Sequence, residues 1–352
     1  MLDRHRPLFR CWVIDGVPGN RFAIYTKTHH SIIDGVSGLK KLYEGLSTST
    51  ERTIPTPAFA LPTPEPPPAP PHPGLHRLLD TIHSAVVQVG TVNQISLSAA
   101  RKAVSAALGS HVEGSLPFVA PHAPTNAPAQ QARGFATLSV PLAEMHRIAR
   151  QHHATLNDVA AAIIDHGLHA YLRQAGQAYA HELVAMCPVS LRDDSDSAVG
   201  TRVSALFVRL GRPEATMTDR LREVVHSVAS AKDELGAMST NAAMTFAVAL
   251  VALAGAGAST HLDRVGHPAC NLVISNIPGN TEPHYLNGAP LIGIFPVSAL
   301  AASIGLNVTL SSYCDTMNFG FVTNTAAISD VQALAEFTGK AYAELTAESA
   351  RA

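Results

Sequence analysis

Ten of the chain's 24 prolines fall between residues 54 and 73. Each one removes a backbone N–H and fixes φ, so neither a helix nor a central strand can pass through that stretch. It reads as an extended surface linker. A second irregular stretch, residues 114–133, carries Pro117, Pro121, Pro124 and Pro128. Regular structure must therefore be assembled from the segments around these two breaks. The expected division is a first region over residues 1–133, with the Pro-rich linker inside it, and a second domain over residues 134–352.

The chain has 352 residues, 46% of them hydrophobic and only 15% charged. That is enough for a large buried core in one big domain or two ordinary ones, and too apolar for a disordered protein. A formal net charge of −2 supplies no bulk attraction for nucleic acid or anionic lipid. Cys11, Cys187, Cys270 and Cys314 form no CxxC pair. They read as reduced, mostly buried thiols rather than a disulfide framework or a structural zinc site. The N-terminal residues have no apolar core of a signal peptide. Residues 235–260 lack Asp, Glu, Lys and Arg, which is long enough to span a bilayer. They are dominated by Ala, Gly, Ser, Thr and Met, so a buried helix or a peripheral membrane contact is expected instead.

Periodicity places the elements. Residues 9–15 and 21–28 read as a β-hairpin around the Gly16-Val17-Pro18-Gly19-Asn20 turn. Asp34 is positioned to cap a helix in which Val36, Leu39, Leu42 and Leu46 recur at helical spacing. Residues 75–104 are helical in pattern. Residues 134–140, 182–191, 203–210, 271–275, 306–313 and 318–323 are strand-like, the last two joined by a turn at Asp315. Pro141 opens a helix through Ile148. Thr155 caps one with Leu156, Val159 and Ile163 on a face, residues 218–235 form another, and Ser329 caps a final one. Strands and helices interleave with hairpins among them, which implies layered α/β domains with mixed sheets.

The segment His29-His30-Ser31-Ile32-Ile33-Asp34-Gly35 sits where a strand gives way to a helix. Successive strand side chains alternate faces, so the two histidines point opposite ways and do not readily share a metal ion. Acyl transfer fits better. An alcohol is a poor nucleophile until a base takes its proton, and a neutral imidazole has a suitable pKa. Asp34 is placed to hold the turn through an ion pair, and Gly35 permits a tight turn or a close approach. The chain has no GxSxG nucleophile elbow and no GxxxxGK phosphate loop. Gly255-Ala256-Gly257 lacks the third glycine of a dinucleotide fingerprint.

The pattern HHxxxDG between strand and helix resembles the active-site motif of CoA-dependent acyltransferases, above all the bacterial wax ester synthase/diacylglycerol acyltransferase family. Pro7-Leu8-Phe9 resembles that family's PLW element with Phe for Trp. Asn157-Asp158 resembles its ND element at a helix start, and Pro188-Val189-Ser190-Leu191-Arg192 a strand of its second half. Ser275-Asn276-Ile277-Pro278-Gly279 resembles SNxPG. All five occur in the family's order. HHxxxDG alone is shared with peptide-condensation domains and plant acyltransferases; together with SNxPG it is far more specific.

The resemblance implies a two-domain fold like chloramphenicol acetyltransferase, with a tunnel between the domains. It implies transfer of a long-chain acyl group from acyl-CoA to diacylglycerol or a long-chain alcohol, without a covalent acyl-enzyme, a metal or a separate cofactor. His30 would be the general base and Asp34 structural, with Arg192 its candidate partner. Asn276, in a loop stiffened by Pro278 and opened by Gly279, is either an oxyanion donor or a turn former. His29, Gly35, Asn157, Asp158, Ser275, Pro278 and Gly279 would bind substrate or support the site. The setting would be cytoplasmic, at the inner membrane face or a lipid-droplet surface. In that family HHxxxDG lies well inside the first domain, whereas here it begins at position 29, so an incomplete first domain is expected. Trp12, Ile14, Phe22 and Ile24 would then be partly exposed, and a second copy or a complementing N-terminal fragment would be a partner. The alternative reading is an inactive relative that binds lipid, CoA or another acyltransferase.

Overall fold

A computed structural model describes residues 7–29, 33, 35–51, 120–128, 130–190, 203–236, 267–301 and 303–351. The proline run at 54–73, the helical pattern at 75–104, His30, Asp34, Arg192 and most of the uncharged stretch lie outside them. The chain divides into two compact units. One comprises Met1–Pro67 and Ile277–Ile292, the other Pro68–Asn276 and Gly293–Ala352.

In the first unit the expected hairpin forms from β1 (Phe9–Val17) and β2 (Arg21–Thr28). Phe9 lies opposite Thr28 and Ile14 opposite Ala23, with an irregularity before Val17. Gly16, Gly19 and Asn20 take positive φ, which glycine and asparagine adopt at low cost. Trp12 stacks on its cross-strand partner Tyr25 at 5.1 Å. Trp12, Ile14, Phe22 and Ile24 are 38%, 49%, 45% and 43% exposed, the partial exposure expected of these four side chains. Helix α1 (Gly35–Glu44) follows. Two short strands, β7 (Tyr285–Leu286) and β8 (Ala289–Pro290), pair around Asn287-Gly288. Both turn residues have positive φ, the geometry that a two-residue hairpin requires.

The second unit is built on a six-stranded sheet. Its strands are β3 (Arg133–Pro141), β4 (Val184–Ser190), β5 (Val203–Arg209), β6 (Leu272–Asn280, whose last residues belong to the first unit), β9 (Leu306–Tyr313) and β10 (Thr316–Asn324). They run in the order β3-β10-β9-β6-β4-β5. The β3, β10 and β9 pairings are antiparallel, β4 and β6 are parallel, and β4 and β5 are antiparallel, so the sheet is mixed as the interleaved pattern implies.

Helices α2 (Leu142–Gln151), α3 (Leu156–Gln174), α4 (Met217–Gly236) and α5 (Val331–Arg351) complete the unit. Alternation decides what faces them. Met317, Phe319 and Phe321 of β10, with Leu306, Val308 and Leu310 of β9, join Ile148, Val159, Ile163, Leu221 and Leu334 in one buried cluster. Val184, Phe207 and Val273, each one residue out of phase, pack with Ala120, Cys270 and Ile304 in a second cluster. Helix α3 is buried nearly all round rather than on one face. At Gly167 an added Cβ would lie 2.7 Å from the backbone of Thr338, so α3 and α5 pack too closely there for any side chain.

Three local expectations shift. Pro141 is the N-cap of α2, with φ −61° and ψ 122°, not its first helical residue. The last helix is capped by Asp330, whose Oδ1 accepts the N–H of Ala333 at 3.0 Å. Ser329 sits one residue too early, and its hydroxyl lies 3.4 Å from that of Tyr171. The thiols are not mostly buried: Cys270 is, Cys187 and Cys314 are intermediate, and Cys11 is exposed. Among the described residues no helix is long and apolar enough to cross a membrane.

Candidate active site

The HHxxxDG segment joins β2 to α1. The backbone N–H of half-buried His29 donates to the carbonyl of Leu8 at 2.8 Å, which closes the open end of the hairpin and fixes where the strand stops. His30 and Asp34 lie outside the described residues. Gly35 is the first residue of α1. A Cβ at Gly35 would come within 2.9 Å of the Ile277 Cδ1 atom, so a side chain there would push the end of Ile277 aside. Ile277 is the central residue of Ser275-Asn276-Ile277-Pro278-Gly279. Within the first unit, then, the last residue of one motif packs on the middle of another. The phenol of Tyr43 on α1 lies 3.3 Å from the N–H of Asn280, which donates to it, and so ties down the end of β6.

The SNxPG segment is strand, not the loop expected for Asn276. β6 runs unbroken through Ser275, Asn276, Ile277, Pro278 and Gly279. The residue before a proline is pushed into extended conformation and proline itself tolerates it, so Ile277-Pro278 continues the strand. Pro278 is exposed, where its missing N–H costs least.

In the second unit the ND element opens α3. Thr155 is the N-cap: its Oγ1 accepts the N–H of Asp158 at 3.3 Å, and Asp158 Oδ2 accepts the N–H of Thr155 at 2.7 Å. This reciprocal capping box accounts for Asp158, which is buried and holds the helix end. Its charge has a second consequence. Burial, and after it the Asp158 carboxylate, push the Cys187 thiol up to about 12, so the β4 cysteine stays a neutral thiol and is no nucleophile.

With the cap set, Asn157 projects from the first turn of α3. The amide Nδ2 of Asn276 donates to Asn157 Oδ1 at 2.7 Å. The ND and SNxPG elements, 119 residues apart, are thus joined by one short hydrogen bond between side-chain amides. One N–H of Asn276 is used there, and among the described residues the other has no partner.

Known proteins place this arrangement. Residues 1–160 match the wax ester synthase/diacylglycerol acyltransferase catalytic domain and residues 199–346 the corresponding C-terminal domain. A Mycobacterium tuberculosis protein named as a diacylglycerol O-acyltransferase is 34% identical, covering 98% of this chain and 75% of its own. The chain belongs to the wax ester synthase/diacylglycerol acyltransferase family.

Other members and neighbours agree. The O-acyltransferase WSD of Acinetobacter baylyi is 32% identical over 95% of this chain and 72% of its own. The solved wax ester synthase/diacylglycerol acyltransferase of Marinobacter aquaeolei VT8 aligns with TM-score 0.69 and 28% identity over 99% of this chain and 73% of that one. A starter condensation domain of rhizomide synthetase aligns with TM-score 0.52 over 98% and 70%, at 14% identity. That likeness is one of fold alone.

A buried charged cluster behind the family's ND helix escaped the reading of the sequence. Asp165 on α3 and Arg220 on α4 are both fully buried, and the guanidinium Nη1 donates to Asp165 Oδ2. Nη2 of the same side chain donates to the carbonyls of Arg212 at 2.8 Å and Pro213 at 3.0 Å. His169, one turn on from Asp165, has Nε2 3.5 Å from Asp165 Oδ1. Burial, and then the positive charge of Arg220, push this imidazole down to about 4, so it is neutral at physiological pH. Burial also pushes the Asp165 carboxyl up, against the pull of Arg220. The available signal was a lone Asp inside Ala160-Ala161-Ala162-Ile163-Ile164-Asp165, where a carboxylate must find a cation.

Proposed function

We propose that this protein is an O-acyltransferase moving a long-chain acyl group from acyl-CoA to diacylglycerol or a fatty alcohol, with His30 as general base. The observation that carries it is the family assignment over nearly the whole chain together with an intact His30 and Asp34. It favours an enzyme over an inactive lipid-binding relative. In this reading the acceptor hydroxyl gives its proton to His30 as its oxygen attacks the thioester carbonyl. The new C–O bond leaves an oxyanion, stabilised by the remaining N–H of Asn276. Collapse breaks the C–S bond, and the departing CoA thiolate takes the proton back from the imidazolium. No cofactor is needed, because the thioester supplies the driving force.

The roles of the other residues follow the same reading. Asp34 pairs with Arg192 and shapes the turn that carries His30. Gly35, Ser275, Pro278 and Gly279 hold the backbone near the reacting groups. His29 faces away from the acceptor. The regions before and after residue 133 supply His30 and Asn276 respectively. Insoluble substrates favour work at the cytoplasmic membrane face or a lipid-droplet surface, held there peripherally. The exposed apolar side chains of the hairpin support a partner on it, either a second copy or a complementing segment.

Incubating the purified protein with palmitoyl-CoA and either dioleoylglycerol or hexadecanol tests the activity. The expected result is triacylglycerol or wax ester, formed mole for mole with free CoA. Palmitoyl-CoA binding without ester from either acceptor would instead support the non-catalytic reading.

A further inference from the structure

We propose that Asn157 is a positioning residue that fixes the orientation of the Asn276 side-chain amide. This rests on the reading that Asn276 faces the thioester carbonyl. A side-chain amide on a strand has two nearly isosteric orientations, one presenting N–H groups to a given direction and the other a carbonyl oxygen. An oxyanion is stabilised by the first and repelled by the second. Something must choose between them before substrate arrives, since a donor that must reorient during the reaction loses much of its value.

The choice is made by Asn157. Its Oδ1 accepts one Nδ2 hydrogen of Asn276 at 2.7 Å. An acceptor there commits the Asn276 nitrogen to that side and, because the amide is planar, fixes the direction of its second hydrogen. The backbone of Asn157 is set by a capped helix start. It is the second residue of α3, immediately after the Thr155–Asp158 capping box begins and directly before Asp158. The partner strand is equally constrained: Ala185 pairs with Leu272 and Met186 with Val273, which sets the register of β6 a few residues before Asn276. The two amides are therefore brought together by rigid elements, the arrangement that preorganised donors require. The geometry also gives the two residues of the ND element separate tasks. Asp158 secures the helix end, and Asn157 reaches out from it.

The test is a double-mutant cycle on kcat, with KM for palmitoyl-CoA and thermal melting measured alongside. Asn276→Ala is expected to lower kcat by about 10²–10³-fold, the usual loss for one oxyanion donor. Asn157→Ala should lower kcat by roughly tenfold with KM nearly unchanged, since one neutral hydrogen bond is removed. The decisive result is the double variant, which should be no slower than Asn276→Ala alone, because Asn157 has nothing left to orient. Asn157→Asp keeps the acceptor and suits a helix N-terminus. Its kcat should lie between wild type and Asn157→Ala, its charge limiting the recovery, and it stands in should the alanine variant fail to fold. Losses that multiply in the double variant would overturn the inference, as would an Asn157→Asp enzyme slower than Asn157→Ala. A harmless Asn276→Ala would instead overturn the oxyanion reading on which the inference rests.

Discussion

Replacing His30 by alanine is expected to lower ester formation by about 10²–10⁴-fold, the usual cost of losing a general base, with the melting temperature unchanged. His29→Ala should cost far less activity. The reason is geometric. The backbone of His29 is fastened to Leu8 at the end of the hairpin, and the expectation rests on the sequence pattern of a strand, in which successive side chains alternate faces. Only one of two adjacent histidines can then face the acceptor hydroxyl. Both variants would be assayed for palmitoyl ester by chromatography, which avoids interference from the protein's own thiols. Equal losses would reassign the base. A His29 variant that is inactive but also melts early would show that the backbone join to Leu8, rather than the imidazole, is what the first histidine protects.

What could be read from sequence depended on whether the deciding interaction is local. The hairpin over β1 and β2 was legible because its turn residues, Gly16, Gly19 and Asn20, carry their conformational demand in their identity. The capping box at the start of α3 was legible in part, since Thr155 and Asp158 stand at the required spacing. The SNxPG strand is hard to recognise in sequence because Pro and Gly are common in turns, whereas here Pro278 imposes an extended backbone on Ile277. Ser329 was expected to cap the last helix, but the helix starts one residue later and Asp330 takes that role. The Asn287-Gly288 hairpin was not anticipated, because its strands have just two residues, too short for any alternation to show. The bond from Asn276 to Asn157 and the contact of Gly35 with Ile277 join residues far apart in sequence. No spacing rule finds such pairs, although the motifs that contain them were visible one by one.

The largest effect on stability is expected from the charged cluster behind the site. Arg220→Ala should destabilise the protein by roughly 3–5 kcal/mol, because it leaves the Asp165 carboxylate buried without its cation and also removes the donors that hold the Arg212 and Pro213 carbonyls. Against a total stability of about 5–15 kcal/mol for a typical domain, that is a large share, and it would appear as a lower urea midpoint. Asp165→Asn should behave similarly, since it keeps the shape but strands the guanidinium. Replacing both together, with Asp165→Leu and Arg220→Met, should cost less than either single change, because no buried charge remains. A double variant as unstable as the sum of the singles would show that the carbonyl contacts of Arg220, rather than the ion pair, carry the energy. The consequence reaches function through α3. Asp165 lies a little over two helical turns, roughly 12 Å, from Asn157 along the same axis, and its contact with Arg220 ties α3 to α4. Loosening it allows the N-terminal turn of α3 to shift, and with it the amide that orients Asn276. The single variants should therefore lose kcat on warming well before they unfold, while the double variant, repacked with apolar side chains, should keep kcat and its temperature profile close to wild type.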